Sequence, residues 1–229
     1  MPYPNETSLT STAFISPKDL SLSFFAIPLT LPGLTFLRII IAIFSANALK
    51  TITTAVEVRD VSFGYGKNQV LKNYSDIYEN GETYFLTTPS GEGKTTRLKI
   101  LAGLLKPDKG EIAPKGITAS MLFQEDRLFP YMTAYENIIL TSPSEKSEEI
   151  KNAVRDLIQG EDGKKAEELS GGMKRRVALL RALFHESDIL LLDEPYSALD
   201  EDNVNKVKEY IRRYKNNRPV IIATHIGDN

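Results

Sequence analysis

The sequence contains no cysteine and only two histidines, His185 and His225. Without cysteine there can be no disulfide, no thiolate metal site and no cysteine nucleophile, and the chain suits a reducing compartment. Two histidines argue against a histidine-rich metal centre. An excess of positive charge is missing too: 28 basic against 30 acidic side chains leave a formal net charge of −2. No field of one sign is available to hold a polyanion, so nucleic acid is not an expected partner. What is present, 41% hydrophobic and 25% charged residues over 229 positions, is the composition of a protein that buries a proper core. That length allows one large domain or one domain with an extension.

Residues 1–55 differ from the rest. Their charged side chains are Glu6, Lys18, Asp19, Arg38 and Lys50, set among 14 serines and threonines. No charge occurs from Leu20 to Leu37, and Ile39 to Phe44 are almost all apolar. A membrane span needs roughly 20 apolar residues, and Pro28, Pro32 and Gly33 interrupt this one. No basic stretch precedes it, as a signal peptide would require. Three readings stand: a membrane- or permease-contacting tail, a partly ordered extension, or residues outside the working protein. The interrupted run favours the latter two.

Residues 56–229 are expected to form an α/β domain, because short apolar runs ending in polar loops alternate with helical stretches. The strand candidates are 55–61, 82–87, 118–123, 188–192 and 219–224. Helices are expected over 94–104, over 171–184 and after Asp200 as far as Tyr214. In the last of these Val204, Val207, Ile211 and Tyr214 recur at helical spacing, a stripe that reads as core packing.

Between a strand and a helix lie Thr88, Pro89, Ser90, Gly91, Glu92, Gly93, Lys94, Thr95 and Thr96. Such a loop turns its N–H groups inward and adds the positive end of the next helix, which suits a polyphosphate. Gly91 and Gly93 allow close backbone approach. Lys94 can reach the β- and γ-phosphates, Thr95 can ligate Mg²⁺, and Thr96 lies toward the α-phosphate. Thr88 stands where the strict pattern has glycine; the following Pro89 biases it to an extended backbone that threonine adopts. Further along, ILLLDE (189–194) is an apolar strand ending in two carboxylates. Asp193 is placed to hold Mg²⁺ and Glu194 to act as general base toward water. LSGGM (169–173) precedes a basic helix. Ser170 is a good N-cap, and with Gly171 and Gly172 it offers a second anion site.

In this order the motifs resemble those of the ATP-binding cassette (ABC) family from about Val56 onward. Residues 88–96 resemble Walker A, Gln124 the Q-loop and 169–173 the LSGGQ signature, with Met173 in place of glutamine. Asp193 and Glu194 resemble Walker B, residues 197–200 (SALD) the D-loop and His225 the switch histidine, while Tyr65 in VSFGYG (61–66) is placed like the adenine-stacking aromatic. The resemblance implies a P-loop NTPase fold of the ABC type, with a mixed sheet core and a small helical subdomain. It implies ATP and Mg²⁺ as ligands, with Gln124 sensing the metal and His225 positioning the γ-phosphate and water. It also implies a second ATP-binding domain, in a homodimer in which Walker A of one copy faces the signature of the other. His185 is expected at the surface.

MLFQEDRLFPYMTAYEN (121–137) and SGGMKRRV (170–177) are similar to ATPases of nitrate, sulfonate and taurine importers. That implies an integral membrane permease, indirectly a solute-binding protein, and a peripheral position on the cytoplasmic face of the membrane. Gln124 and Ser170 are 46 positions apart and only four residues follow His225, so a minimal energiser is expected. Two rivals differ in class. Repair-type cassettes carry long coiled coils and translation-type chains carry two cassettes, neither of which occurs here. A cassette that binds without turnover is kept open by Thr88 and Met173, although Lys94, Glu194 and His225 are all present.

Overall fold

A computed structural model of the chain describes residues 56–225, apart from 90, 159, 160, 162 and 198. The extension at 1–55, Ser90 of the loop and Ala198 of the SALD run therefore lie outside the described residues. Two sheets form. An antiparallel sheet of three strands has the order β2-β1-β4, from β1 (Val56–Tyr65), β2 (Asn68–Tyr78) and β4 (Lys109–Ala113). A parallel sheet of four has the order β3-β7-β6-β5, from β3 (Thr83–Leu86), β5 (Ala119–Leu122), β6 (Ile189–Asp193) and β7 (Val220–Ala223).

The parallel sheet follows directly from its sequence. Central parallel strands are covered on both faces and read as unbroken apolar runs, as in ILLLD and VIIA, every residue of which is buried. Alternation then divides the core in two. Leu190, Leu192, Val220 and Ile222 pack with the helices α2 (Ala134–Ile139), α3 (Ser147–Ile158), α4 (Gly171–Phe184) and α5 (Glu201–Tyr214). Ile189, Leu191, Ile221 and Ala223 face the other way, toward β1, β2 and α1 (Lys94–Leu101).

The expected strands are found within a residue or two of their limits, except that β1 runs on to Tyr65. Strands β2 and β4 and helices α2 and α3 are additions. The α5 stripe is core: Val207, Ile211 and Tyr214 are buried and Val204 packs against them. Helix α4 begins where Ser170 Oγ accepts from Met173 N at 3.3 Å. Helix α5 begins where Asp200 Oδ1 accepts from Asn203 N at 2.9 Å. Each side chain satisfies a backbone donor that the helix itself leaves open.

His185, expected at the surface, is of intermediate exposure there. It caps the end of α4, is partly buried, and its Nδ1 lies 2.8 Å from the Thr141 carbonyl. Its own carbonyl accepts from the Arg218 guanidinium at 2.8 Å, and burial pushes Arg218 down to about 10. The residue thus ends a helix with its ring tied to one main-chain carbonyl and its own carbonyl tied to Arg218. Among the described residues no helix is long and apolar enough to cross a membrane.

Candidate nucleotide site

In an open parallel sheet, ligands bind beyond the carboxyl ends of the strands. Here β3 runs into the 87–93 loop, β5 ends two residues before Gln124, β6 ends at Asp193 and β7 two residues before His225. These ends surround a cleft of about 400 Å³ lined by Tyr65, Asn68, Val70, Gly91, Gly93, Lys94, Thr95, Thr96, Gln124, Asp193, Glu194 and His225. Glu92 is exposed on the loop and is not among the described lining residues. Nor are Ser170, Gly171 and Gly172, of which Ser170 and Gly171 are exposed.

Gly91 and Gly93 hold φ of +87° and +82°, values that side-chain-bearing residues rarely adopt. Gly93 is the N-cap of α1, so the two left-handed positions shape the loop that leads into the helix. The Lys94 side chain is buried at the foot of this loop and donates to the Thr88 carbonyl. Thr96 is buried with its Oγ1 3.5 Å from the Tyr65 hydroxyl. Half of the Tyr65 surface remains open, and its ring stands edge-on to Phe63 at 5.0 Å. A half-exposed aromatic ring beside the phosphate loop can take a stacked base.

Asp193 is 3% exposed. Burial pushes its carboxyl pKa up, and the Thr95 hydroxyl, Arg175, Lys99 and Lys94 oppose that rise. Its Oδ2 is buried without a hydrogen-bond partner. An orphaned carboxylate oxygen, beside the Thr95 hydroxyl and in the field of Lys94 and Lys99, is a donor set that suits Mg²⁺ held by one carboxylate and substrate phosphates. Among the described residues no group of three or more His, Cys, Asp or Glu forms a self-sufficient metal cage.

Glu194 is only partly buried, and its Oε1 lies 3.3 Å from His225 Nε2. Its φ is +52°, unusual for a residue with a side chain. Such a conformation costs on the order of 1–3 kcal/mol and persists only where the surroundings over-determine it. The amide of Glu194 donates to Ala223 O at 2.8 Å, and its carbonyl accepts from Ser197 N at 3.2 Å and from Arg175 Nη2 at 2.9 Å.

The sequence reading missed Asn68 and Val70, which reach the cleft from β2, and Arg175. The first two follow from a strand that was not expected. Arg175 lay in view within a basic run, with nothing in its spacing to distinguish it from a solvated charge.

The fold and this cleft define an α/β P-loop nucleotide-binding domain. The family model described as ABC transporter matches residues 71–197. An aliphatic sulfonates import ATP-binding protein of Bacillus licheniformis is 42% identical over 164 residues, 65% of this chain and 64% of that relative. A thiamine import ATP-binding protein of Photobacterium profundum is 39% identical over 174 residues, 67% of this chain and 71% of the relative. A solved ATP-binding cassette, a dimer in a post-hydrolysis state bound to ADP and Pi, superposes with a TM-score of 0.64 at 27% identity, covering 75% of this chain and 88% of that one. The chain belongs to the ABC transporter family, as one of its ATP-binding cassettes. It spans just under two thirds of the length of the sulfonate-import relative.

Proposed function

We propose that this chain is the ATP-hydrolysing subunit that energises an ABC importer, bound peripherally at the cytoplasmic face of a membrane through a permease. One observation carries the hydrolytic part: a single cleft gathers the phosphate loop, Gln124, Asp193, Glu194 and His225. ATP would stack its base on Tyr65 and lay its phosphates across the loop N–H groups and the start of α1, with Ser90, Glu92 and Thr96 in the loop's contact set. Lys94, already buried beneath the loop, neutralises the β- and γ-phosphates. Thr95 and Asp193 would hold Mg²⁺ with Gln124 beside them, and the ion when bound offsets charge on the transferring phosphoryl group. Glu194 takes the proton of the attacking water, and His225, 3.3 Å away, orients that water and the γ-phosphate.

The site is completed by a second copy. Ser170 and Gly171 are exposed, and the run 170–172 lies outside the cleft of its own chain. An exposed helix N-terminus of this kind can close over the γ-phosphate held by a partner. For the permease, the segment after Gln124 offers exposed Phe129, Tyr131 and Leu140. The solute is a small anionic or organic compound, with sulfonate supported by the names of three relatives and taurine or nitrate by the sequence around Gln124. A solute-binding protein acts outside this chain.

The test is ATP turnover and ATP binding by the 229-residue chain. Glu194→Gln should keep ATP binding and slow hydrolysis by about 10²–10⁴-fold, the usual share of a general base. Lys94→Ala should lose binding altogether. Turnover of Glu194→Gln at the wild-type rate would remove Glu194 from the base role.

A further inference from the structure

Arg175 is the fifth residue of α4, 5% exposed, and all of its bonded donors are the two terminal nitrogens of the guanidinium. Nη2 donates to the carbonyls of Asp193 and Glu194, the latter at 2.9 Å. These two carbonyls belong to the peptide units on either side of the Glu194 α-carbon, so their orientations set φ and ψ of Glu194. Nη1 donates to Phe123 O at 2.6 Å and Gln124 O at 3.2 Å, the peptide units on either side of the Gln124 α-carbon. The Asp126 carboxylate accepts from the same nitrogen at 3.1 Å. One planar fork thus grips the backbone of two cleft residues that follow different strands, β5 and β6, one nitrogen to each. A lysine presents a point charge and cannot reproduce a fork.

We propose that Arg175 is a positioning residue for hydrolysis: it locks Glu194 in its left-handed conformation, fixes Gln124 relative to it, and ties both to the helix that begins at Ser170. The assignment rests on the proposed ATPase reading of the cleft. It has a consequence for the paired site. The start of α4 is the part expected to meet the second copy, and Arg175 sits one turn behind it. When the start of α4 is pressed against a partner-bound nucleotide, the fork carries that displacement to the base and to the segment after Gln124. A positively charged group at this point also meets a local demand, since five oxygen acceptors converge there.

The test uses Arg175→Lys and Arg175→Met in the full chain, measured for ATP turnover, for binding of a fluorescent ATP analogue and for amide hydrogen exchange without nucleotide. For Arg175→Lys the expectation is a fall in kcat of about 10²-fold, the penalty of misplacing a reacting group by roughly 1 Å. Analogue affinity should stay within about threefold, since the loop and Tyr65 are untouched, and groups acting through one another lose non-additively. Exchange should rise over 122–127 and 193–197 while α3 keeps its protection. In the Glu194→Gln background the same change should cost about tenfold less. Wild-type turnover with wild-type exchange in both segments would overturn the proposal. So would equal losses in both backgrounds with exchange raised across the whole chain, which is the signature of a merely structural residue. If Arg175→Met fails to fold, the lysine variant carries the test. A wild-type chain without turnover would sink the ATPase reading, and the exchange pattern would then decide Arg175 by itself.

Discussion

Replacing Gly93 by alanine should damage this protein more than replacing Gly91, although both glycines lie in one loop with nearly the same φ. A β-carbon at Gly93 would sit 2.6 Å from Val70 Cγ1 and 3.3 Å from Leu71 Cδ2, whereas at Gly91 nothing lies within 4 Å. Carbon atoms in contact normally stand about 3.5–4.0 Å apart, so the Gly93 clash is about 1 Å deep. Valine has a single stiff χ1, and Val70 is fixed in β2 against the core, so it cannot swing away cheaply. Both substitutions share the penalty of a left-handed alanine, about 1–2 kcal/mol, partly offset by about 0.4–1 kcal/mol lost from unfolded-state entropy. Only Gly93→Ala adds over-packing, about 1–3 kcal/mol. The expected totals are about 1 kcal/mol for Gly91→Ala and about 3 kcal/mol for Gly93→Ala. At roughly 2–4 °C per kcal/mol for a chain of this size, the melting temperature should fall by about 2–4 °C and about 6–12 °C.

Calorimetry or circular-dichroism melting of the nucleotide-free chain reads this directly. A second reading comes from adding nucleotide. A ligand at about 100 times its Kd stabilises by about 2.7 kcal/mol, and Gly93→Ala should forfeit most of that because Val70 lines the cleft. If Gly91→Ala melted as low as Gly93→Ala, or lower, the contact with Val70 would not be what fixes glycine at 93. An unchanged melting temperature in both would mean the left-handed geometry is not needed at all.

Three other outcomes follow from the site. Ser170→Arg puts bulk and charge at an exposed helix start, so it should abolish cooperative ATP hydrolysis while single-site nucleotide binding persists; cooperative turnover in that variant would refute the two-copy site. Because burial raises the Asp193 pKa, its neutral form is favoured in the native state: the stability this group contributes is full below its unfolded pKa and is lost as pH rises through the raised one. Mg²⁺ needs the carboxylate, so the Mg²⁺ concentration for half-maximal turnover should climb as pH is lowered into that range, and Asp193→Glu should shift the curve; a flat pH dependence would argue against Asp193 as ligand. The Thr88 hydroxyl is buried without a partner, so the isosteric Thr88→Val should stabilise the nucleotide-free chain by about 1 kcal/mol, whereas Thr88→Ser should not. A drop in melting temperature for the valine variant would mean the hydroxyl is satisfied in solution.

The parts legible in the sequence were those whose signal is a run or a cap. ILLLD and VIIA read as buried strands, and the starts of α4 and α5 were set by Ser170 and Asp200. Strand β2 was opaque because NQVLKNYSDIY mixes polar and apolar residues without clean alternation. Its pairing with β1 slips register between Val58 and Val61 and again on either side of Phe63, with Asp60 and Asn73 at positive φ. A period of two cannot be read through such irregularities. With β2 went Asn68 and Val70, and with them one wall of the cleft.

Arg175 was invisible for a different reason. Motifs are recognised by side chains, and four of the five acceptors of this guanidinium are main-chain carbonyls, which every residue possesses. The sequence marks Gln124, Asp193 and Glu194 as chemical groups, but their chemistry depends on where their backbones are held. For Glu194 that holding is costly, since a left-handed glutamate is strained. Three independent anchors converge on it: the Ala223 carbonyl from β7, the Ser197 amide from its own turn, and Arg175 from α4. Each comes from an element that carries or adjoins a residue of the same cleft, so Glu194 is placed by the elements that border it. A movement in any of them would displace Glu194. That geometry supports the proposed reading, in which contact with a partner governs hydrolysis.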